Sequence, residues 1–321
     1  MGSWPLDPRG AQAESIAFVY WVLFACAVVV LAIVIGALTY SGIKFRDRPG
    51  RVAQQFHGSN TLELIWTVVP TLMVISFTAL SWDRLNVINN VDAGSTMTVK
   101  VQGVQWAWNF TYPDQQMFKL KDGTTLQAGE QLDIPVGQKI KLELTATDVI
   151  HSFWVPNIGG KKDAVPGHTT TMWIQADQPG TYKGQCTEFC GDGHADMLIT
   201  VVAHPPSDYA AWAATAVADA DRLNAPETRA GKDAFVNGPC AGCHLVRGTA
   251  AAGRVGPELT HLMSKQPPNI AGVLSPINQE NLTKWVRNAP AIKPGVLMPK
   301  FEGVLPDQTI DQIVQFLLTL K

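Results

Sequence analysis

The chain has 321 residues, and its 25 basic and 27 acidic side chains leave a formal net charge of −2. This near balance excludes the basic surface that nucleic-acid binding requires, and the length suffices for roughly two or three domains. Two long apolar runs lie within the first 82 residues, whereas the remainder has a soluble composition. The sequence therefore predicts a membrane-anchored protein.

The two apolar runs are long enough to cross a bilayer as helices. Residues 15–40 contain no charged side chain and exceed the roughly 20 residues that a spanning helix needs. Residues 64–82 are just long enough, and Pro70 is tolerated in a membrane helix because neighbouring groups replace the lost backbone bond. Residues 1–90 are therefore predicted to form a two-helix transmembrane hairpin, whose first helix is retained rather than cleaved as a signal peptide.

Basic side chains are concentrated between the two apolar runs. Only Arg9 precedes the first run, whereas the connecting loop carries Lys44, Arg46, Arg48 and Arg51. Basic residues in short loops stay in the cytoplasm. The N-terminus and everything after residue 82 are therefore predicted to lie on the outer face.

Residues 91–204 have the composition of a β domain. Four stretches rich in β-branched residues are separated by turn signals, and several alternate with period two: residues 95–102, 139–147, 168–175 and 197–203. This pattern favours a β-sandwich or a Greek-key barrel.

A second soluble domain is predicted beyond the β domain. Residues 205–227 open with two prolines, become rich in alanine and are predicted to be a linker that is partly helical at most. Residues 228–321 are predicted to form a small all-α domain, whose terminal helix has apolar side chains at helical spacing: Ile310, Ile313, Val314 and Leu317.

The stretch CTEFCGDGHADM, which begins at Cys186, collects soft metal donors. Thiolate and thioether sulfurs select soft metals, and electron-transfer copper sites combine them with imidazoles. The spacing of Cys186 and Cys190 allows both sulfurs to bridge a pair of metal ions, with His194 and Met197 on one side. His151, at the end of a strand about 35 residues earlier, is the best candidate for a second imidazole, as loop-strand copper folds require. A Cys186–Cys190 disulfide and a zinc site are the alternatives.

This cluster resembles the binuclear CuA site of the cytochrome c oxidase subunit II family, whose pattern Cys-x-Glu-x-Cys-Gly-x-x-His-x-x-Met it matches throughout. ELIWTVVP, QWAWNF and HSFWVPNIGGKKDAVPG also resemble family segments, so the resemblance covers residues 15–204 and implies a cupredoxin-like fold. It implies two bridging thiolates, two terminal imidazoles, a weak thioether ligand and a backbone carbonyl ligand: Cys186 and Cys190, His151 and His194, Met197, and Glu188. The Glu188 carboxylate is also implied to approach a magnesium ion shared with subunit I.

The resemblance implies roles for two further residues, Trp106 and Glu63, and each also has a simpler structural alternative. Trp106 corresponds to the tryptophan through which electrons reach the copper, but Trp106 and Trp108 would equally serve to pack the sandwich. Glu63 opens the second apolar run, where the resemblance suggests a carboxylate near the start of a proton path in subunit I. Asn60 and Glu63 also have capping-box spacing, so Glu63 would then help to start the helix.

The pentapeptide CAGCH, which begins at Cys240, is typical of covalent c-type haem attachment. Cys240 and Cys243 would bind the haem and His244 its iron. A redox dithiol is the alternative. Residues 228–321 resemble a class I cytochrome c, in which KPGVLMPKF supplies Met298 as the second axial ligand and the Pro257 carbonyl accepts a hydrogen bond from His244.

A copper domain followed by a haem domain resembles cytochrome c oxidases with a cytochrome fused to subunit II. The resemblance implies a bacterial inner-membrane subunit that accepts electrons at haem c from a cytochrome c or a respiratory complex. It would relay them through CuA to subunit I, which reduces oxygen and pumps protons alongside further subunits. The alternatives are a membrane-tethered electron carrier or copper-handling protein without an oxidase partner, and a role like that of nitrous oxide reductase.

Overall fold

The computed structural model describes residues 4–50, 52, 57–113, 116–120, 124–129, 131–220, 223, 225–265 and 268–321. The chain divides into two compact units. One comprises residues 14–90, and the other comprises residues 1–13 together with residues 91–321.

The first unit consists of two long apolar helices. Helix α1 spans Ala11–Lys44 and helix α2 spans Asn60–Asn89, and both extend beyond the predicted apolar runs. Both are long and apolar enough to cross a membrane, and their large apolar side chains are mostly exposed, as lipid-facing side chains are. Two membrane helices are thus confirmed, while Arg51 of the predicted basic loop lies outside the described residues.

The start of α2 differs from the predicted capping box. Ser59 is the N-cap, and its hydroxyl accepts a hydrogen bond from the Leu62 N–H at 3.5 Å. Asn60 is already the first helical residue, so the capping role predicted for the pair Asn60 and Glu63 is wrong. Glu63 remains in the first turn, where a carboxylate interacts favourably with the helix dipole.

The second unit begins with two five-stranded sheets that form the predicted cupredoxin-like sandwich. The first sheet has the order β3-β2-β1-β5-β8. Its strands are β1 (Ser95–Val104), β2 (Ala107–Thr111), β3 (Gln127–Gly129), β5 (Lys139–Ala146) and β8 (Thr170–Ile174). Along β1 and β5 buried residues alternate with partly exposed ones, as expected for strands that cover one side of a core.

The second sheet has the order β4-β10-β9-β6-β7. Its strands are β4 (Gln131–Pro135), β6 (His151–Trp154), β7 (Lys161–Ala164), β9 (Gly180–Cys186) and β10 (Leu198–His204). Strands β9 and β10 are antiparallel neighbours, with Gln185 opposite Leu198. The loop between them, residues 187–197, carries most of the predicted copper ligands and is held at both ends by the sheet.

The N-terminal segment packs on this sandwich. The Arg9 N–H donates to the Asn157 carbonyl at 2.6 Å, and the Arg9 carbonyl accepts from the Asp177 N–H at 2.8 Å. The Gln12 side chain accepts from the Gly160 N–H at 2.7 Å. Because two membrane helices separate this segment from the sandwich, both lie on the same side of the membrane, as the charge pattern predicts.

Helices follow the sandwich. Helix α3 spans Pro206–Ala216 within the predicted linker. The C-terminal helical region, which we define as residues 228–321, contains α4 (Arg229–Asn237), α5 (Gln279–Ile292) and α6 (Asp307–Leu317). The four apolar residues predicted to face the core from α6 are all buried, and the aromatic rings of Phe235 and Phe316 bring α4 against α6 with centroids 5.7 Å apart.

Candidate metal centre and haem segment

The sulfur donors of the β9–β10 loop lie together in the sandwich. Cys186 ends β9, and its Sγ lies 3.8 Å from that of Cys190. Cys190 Sγ is in turn 3.8 Å from the Met197 Sδ and 3.5 Å from the His194 Nδ1. Both cysteines are free thiols, so they do not form the alternative disulfide. The Cys186 thiol donates to the Glu188 carbonyl at 3.3 Å, which places that carbonyl beside the thiols.

His151 comes to this cluster from the neighbouring strand. It begins β6 instead of ending a strand as predicted, and its donor atom lies within 4.8 Å of those of Cys186 and Cys190. Its Nε2 is 2.9 Å from the Asp148 carboxylate. The other ring nitrogen, Nδ1, is buried and has no hydrogen-bond partner among the described residues, which leaves its lone pair free for a metal ion.

Asp148 contacts the candidate site through His151, a contact that the sequence patterns did not indicate. Besides His151, its carboxylate accepts from the Gln105 and Val149 N–H groups, each at 2.7 Å. Burial works against ionisation, but the imidazole and the two N–H groups outweigh it and lower the pKa of Asp148. A carboxylate that fixes the far nitrogen of an imidazole is the usual support of a metal-binding histidine. Its spacing of three residues from His151 is the only available sequence signal.

The two thiols ionise unequally. Burial opposes ionisation of Cys186, but the adjacent His151 imidazole and neighbouring backbone groups lower its pKa to about 7. Burial and the negative charge of Cys186 raise the pKa of Cys190 to about 12. In the protein without a metal, ionisation of one thiol therefore opposes ionisation of the other, and a bound cation would stabilise both thiolates.

The donor set fits copper better than zinc. Two thiols, two imidazoles and a thioether are collected here, and the Met197 side chain is completely buried. A thioether is a soft donor that suits copper, whereas structural zinc sites use thiolates and imidazoles alone. The residues present thus fit a copper centre, and the buried Met197 sulfur 3.8 Å from the Cys190 thiol is the observation that favours copper over zinc.

The two tryptophans have different positions. Trp108 is buried in the core, with its ring 5.9 Å from His151 and 5.5 Å from Phe153. Trp106 is only partly buried, and its indole N–H donates to the Cys190 carbonyl at 3.0 Å. Packing therefore accounts for Trp108, whereas Trp106 connects the thiol loop to the edge of the sandwich.

The two predicted carboxylates, Glu188 and Glu63, are both exposed. The Glu188 residue is exposed, as is its neighbour Phe189, which has 78% of its surface accessible. Glu63 is exposed in the first turn of α2. Both predicted roles depend on a contact with subunit I, so the magnesium role of Glu188 and the proton-path role of Glu63 stay predictions.

The CAGCH segment forms a short helical turn after α4. Cys240 is buried, Cys243 is partly buried, and both are free thiols. The His244 Nδ1 is 2.8 Å from the Pro257 carbonyl, which confirms the predicted hydrogen bond. This bond leaves Nε2 as the atom for an axial ligand. A Cβ on Gly256 would lie 2.5 Å from the imidazole, so glycine at this position makes room for the ring.

Met298 packs against the apolar core of the C-terminal helical region. Its side chain is partly buried against the apolar core that also contains Cys240 and Phe301. Two thiols, an oriented imidazole and a thioether in one small domain fit a covalently bound haem.

Three parts of the chain are similar to known protein families. The sequence matches the cytochrome c oxidase subunit II transmembrane domain over residues 7–83, the periplasmic domain of that subunit over residues 97–204, and cytochrome c over residues 228–321.

Two relatives are similar over most of the chain, and a solved structure is similar over part of it. A cytochrome c oxidase subunit 2 of Alkalihalophilus pseudofirmus is 34% identical, with 98% of this chain and 90% of the relative covered. A cytochrome c oxidase subunit 2 of Bacillus sp. strain PS3 is 32% identical, with 86% and 80% covered. The crystal structure of the periplasmic domain of Bradyrhizobium japonicum cytochrome oxidase subunit II is 31% identical, covers 38% of this chain and 94% of that chain, and has a TM-score of 0.35. The chain therefore belongs to the cytochrome c oxidase subunit II family, in a form that carries a cytochrome c domain after the periplasmic domain of that subunit.

Proposed function

We propose that the chain receives electrons at a haem c in residues 228–321 and passes them through a binuclear copper centre to the catalytic subunit I of a bacterial inner-membrane oxidase. The observation that carries this proposal is the cluster of sulfur donors around Cys190. The Cys190 sulfur lies within 4 Å of both the Cys186 sulfur and the Met197 sulfur. A membrane-tethered carrier working alone would not need the second, copper-binding cluster in addition to a haem.

The chain's own residues would hold and orient the copper ions. Cys186 and Cys190 would bridge them, His151 and His194 would be terminal ligands, and the Met197 sulfur and the Glu188 carbonyl would bind weakly. When bound, such a pair of coppers accepts and releases one electron with little rearrangement of its ligands. Strand ends β6, β9 and β10 hold the donors rigidly, and rigid support is what a site that changes charge without moving requires.

The C-terminal helical region would hold the haem. Cys240 and Cys243 would form the covalent bonds, and His244 and Met298 would be the axial ligands. A bound haem exchanges one electron at its iron, and a methionine opposite a histidine raises its reduction potential. Pro257 orients His244 through the 2.8 Å hydrogen bond.

The remaining proposed roles concern the oxidase partner. Glu188 is exposed in the β9–β10 loop, where its carboxylate would help to bind magnesium at the contact with subunit I. Glu63 would lie near the start of a proton path in that subunit. Trp106, which binds the Cys190 carbonyl, would lead electrons to the copper.

Electron paramagnetic resonance of the purified full-length protein, with copper and haem bound, tests the copper assignment. We expect hyperfine splitting from two equivalent copper nuclei in the native protein. The variant Cys190→Ser should lose this signal because one bridging thiolate is gone. The matched control is Cys26→Ser, since Cys26 lies in α1 and should leave the signal unchanged. A spectrum from one copper nucleus in the native protein would refute the binuclear site.

Copurification tests the oxidase role independently of the copper count. A tagged chain should bring down a membrane subunit that contains haem and copper. If it is isolated alone from membranes in mild detergent, the lone electron carrier becomes the better interpretation.

A further inference from the structure

Lys293 is a buried lysine that joins the C-terminal helical region to the sandwich. It follows the end of α5, and its N–H donates to the Ala289 carbonyl at 2.9 Å. Only 3% of its surface is exposed. Lysines are almost never fully buried without partners, because the ammonium group loses its hydration.

The ammonium group of Lys293 is held by backbone carbonyls from both parts of the unit. Its Nζ donates to the Trp106 carbonyl at 3.1 Å and to the Asp196 carbonyl at 3.0 Å, both in the sandwich. A third bond, at 3.0 Å, goes to the Ala271 carbonyl of its own region. An ammonium group has three hydrogens to donate, and these three carbonyls accept them.

The two sandwich carbonyls belong to the surroundings of the thiol cluster. Asp196 directly precedes Met197, whose sulfur lies 3.8 Å from that of Cys190. Trp106 binds the Cys190 carbonyl through its indole N–H. Lys293 therefore contacts the backbone of two residues that adjoin proposed copper ligands. Asp196 is bonded to Met197 in the chain, and Trp106 is hydrogen-bonded to Cys190.

Close packing accompanies these hydrogen bonds. Gly295 has a φ of +84°, and a Cβ at this position would lie 2.2 Å from the Trp106 ring. A Cβ on Gly272 would lie 3.3 Å from the Asp196 carbonyl oxygen. Gly295 is three residues before Met298, so the segment that would carry the axial methionine lies directly on the Trp106 ring.

We propose that Lys293 and Gly295 form a latch that fixes the C-terminal helical region on the Trp106 face of the sandwich, so that an outside electron donor binds to the helical region instead of to this face. The claim about where the electron donor binds rests on the proposed electron relay. The latch concerns only how the helical region docks on the sandwich and does not depend on the relay. Trp106 is then one of the internal contacts between the two proposed redox domains.

Burial makes this docking different from one held by surface charges. Salt screens exposed ion pairs strongly and buried groups much less. The native protein should therefore keep its latch at high ionic strength, where a complex held by exposed lysines and carboxylates would separate.

Hydrogen–deuterium exchange of the full-length protein tests the latch without using activity. In Lys293→Met we expect the amides of residues 103–108 and 193–198 to exchange about tenfold faster, because hydrogen bonds from a charged donor contribute to holding the segments closed. The matched control is Lys300→Met, which removes an exposed ammonium group bound to Glu302 at 3.2 Å. The control should exchange at the native rate in both segments.

A second variant tests the close packing. Gly295→Ala should displace the Trp106 ring and give the same faster exchange in residues 103–108. Gly303→Ala is the control, because Gly303 has a similar φ of +79° but open space where its Cβ would lie. The control therefore has the same backbone strain without the contact to Trp106.

Light-triggered reduction of the haem then measures electron transfer to the copper within one molecule. We expect a fast phase that is independent of protein concentration and of salt in the native protein, and a smaller amplitude of this phase in Lys293→Met and Gly295→Ala. Unchanged exchange in both variants would overturn the latch, as would protection in the native protein that disappears at high salt. Absence of the two-copper spectrum would instead refute the relay. The latch would still be tested by the exchange rates.

Discussion

At the scale of single residues, the support of the thiol cluster depends on Asp148 as much as on the donors. Asp148 holds His151 through Nε2 and is itself held by two backbone N–H groups. The imidazole is thereby fixed with its Nδ1 available beside Cys186 and Cys190. Copper affinity should consequently depend on a residue that does not touch the metal.

Removing this carboxylate should weaken copper binding. We expect Asp148→Ala to lower copper affinity by about 10–100-fold, because the orientation and basicity of His151 are lost. Asp148→Asn should recover part of the affinity, since its carbonyl oxygen still accepts from the imidazole. Copper retention during titration with a chelator, in the full-length protein, measures both effects.

An exposed aspartate of the same sandwich provides the control for this change. Asp177 binds the Gln175 side chain at 2.8 Å at the surface. Asp177→Ala should leave copper affinity unchanged. Equal affinities in Asp148→Ala and the native protein would show that His151 does not depend on this support.

Residues close together in sequence were predictable, whereas those joined by the fold were not. The two cysteines, His194 and Met197 lie in one loop, so their spacing alone indicates a metal site. The carbonyl partners of Lys293 are 22, 97 and 187 residues away, and no sequence pattern specifies such contacts. Asp148 is only three residues from His151, but an acidic residue at that spacing has many other uses.

At the scale of elements, helix α3 turns the beginning of the predicted linker into part of the sandwich. Tyr209 and Ala213 are buried in its core. The Trp212 ring stacks on His204, with centroids 5.9 Å apart and planes inclined by 18°, and lies 5.8 Å from Tyr112. The alanine-rich composition indicated some helix, but only the aromatic positions reveal what the helix packs against.

Truncating the Trp212 side chain should destabilise the sandwich. We expect Trp212→Ala to cost on the order of 2 kcal/mol, below the loss for a fully buried tryptophan because Trp212 is only partly buried. For the sandwich together with α3, at about 2.1 cal/mol/K of unfolding entropy per residue, the loss corresponds to a melting temperature lower by about 8 °C. Trp212→Phe should retain most of the stability, and thermal unfolding followed through the copper absorbance distinguishes the two. If residues 206–216 were a freely moving linker, Trp212→Ala and the native protein would have the same melting temperature.

Strands were predictable where β-branched residues alternate and not elsewhere. Strands β1, β5, β8 and β10 coincide with the four predicted stretches. Strand β7 reads KKDA and β9 reads GTYKGQC, so neither has the composition of a strand. Pairing with β6 and β10 holds them in the sheet, which is a tertiary effect that local composition does not contain.

At the scale of the whole molecule, the outer unit has two separate apolar cores. One is shared by the sandwich and α3, and the other lies within residues 220–320. Between them are polar contacts, including the Lys293 bonds and the bond from the Arg247 guanidinium to the Ala216 carbonyl at 2.5 Å. Separate cores joined by polar contacts favour two regions that fold independently but dock in a defined position.

A chain that ends at residue 225 should therefore keep its copper centre and lose its haem. The core of the sandwich, including α3, remains complete in this variant, so the two-copper spectrum should be retained. Electron entry through the haem should be lost because the haem is absent. Direct reduction of the copper by an added soluble cytochrome should rise by about tenfold or more, because the Trp106 face is uncovered and access alone changes association rates over that range. Stopped-flow mixing of the reduced cytochrome with the native and the shortened protein gives both rates. If direct reduction is equally fast in the two proteins, the Trp106 face is open in the native chain and the helical region does not cover it.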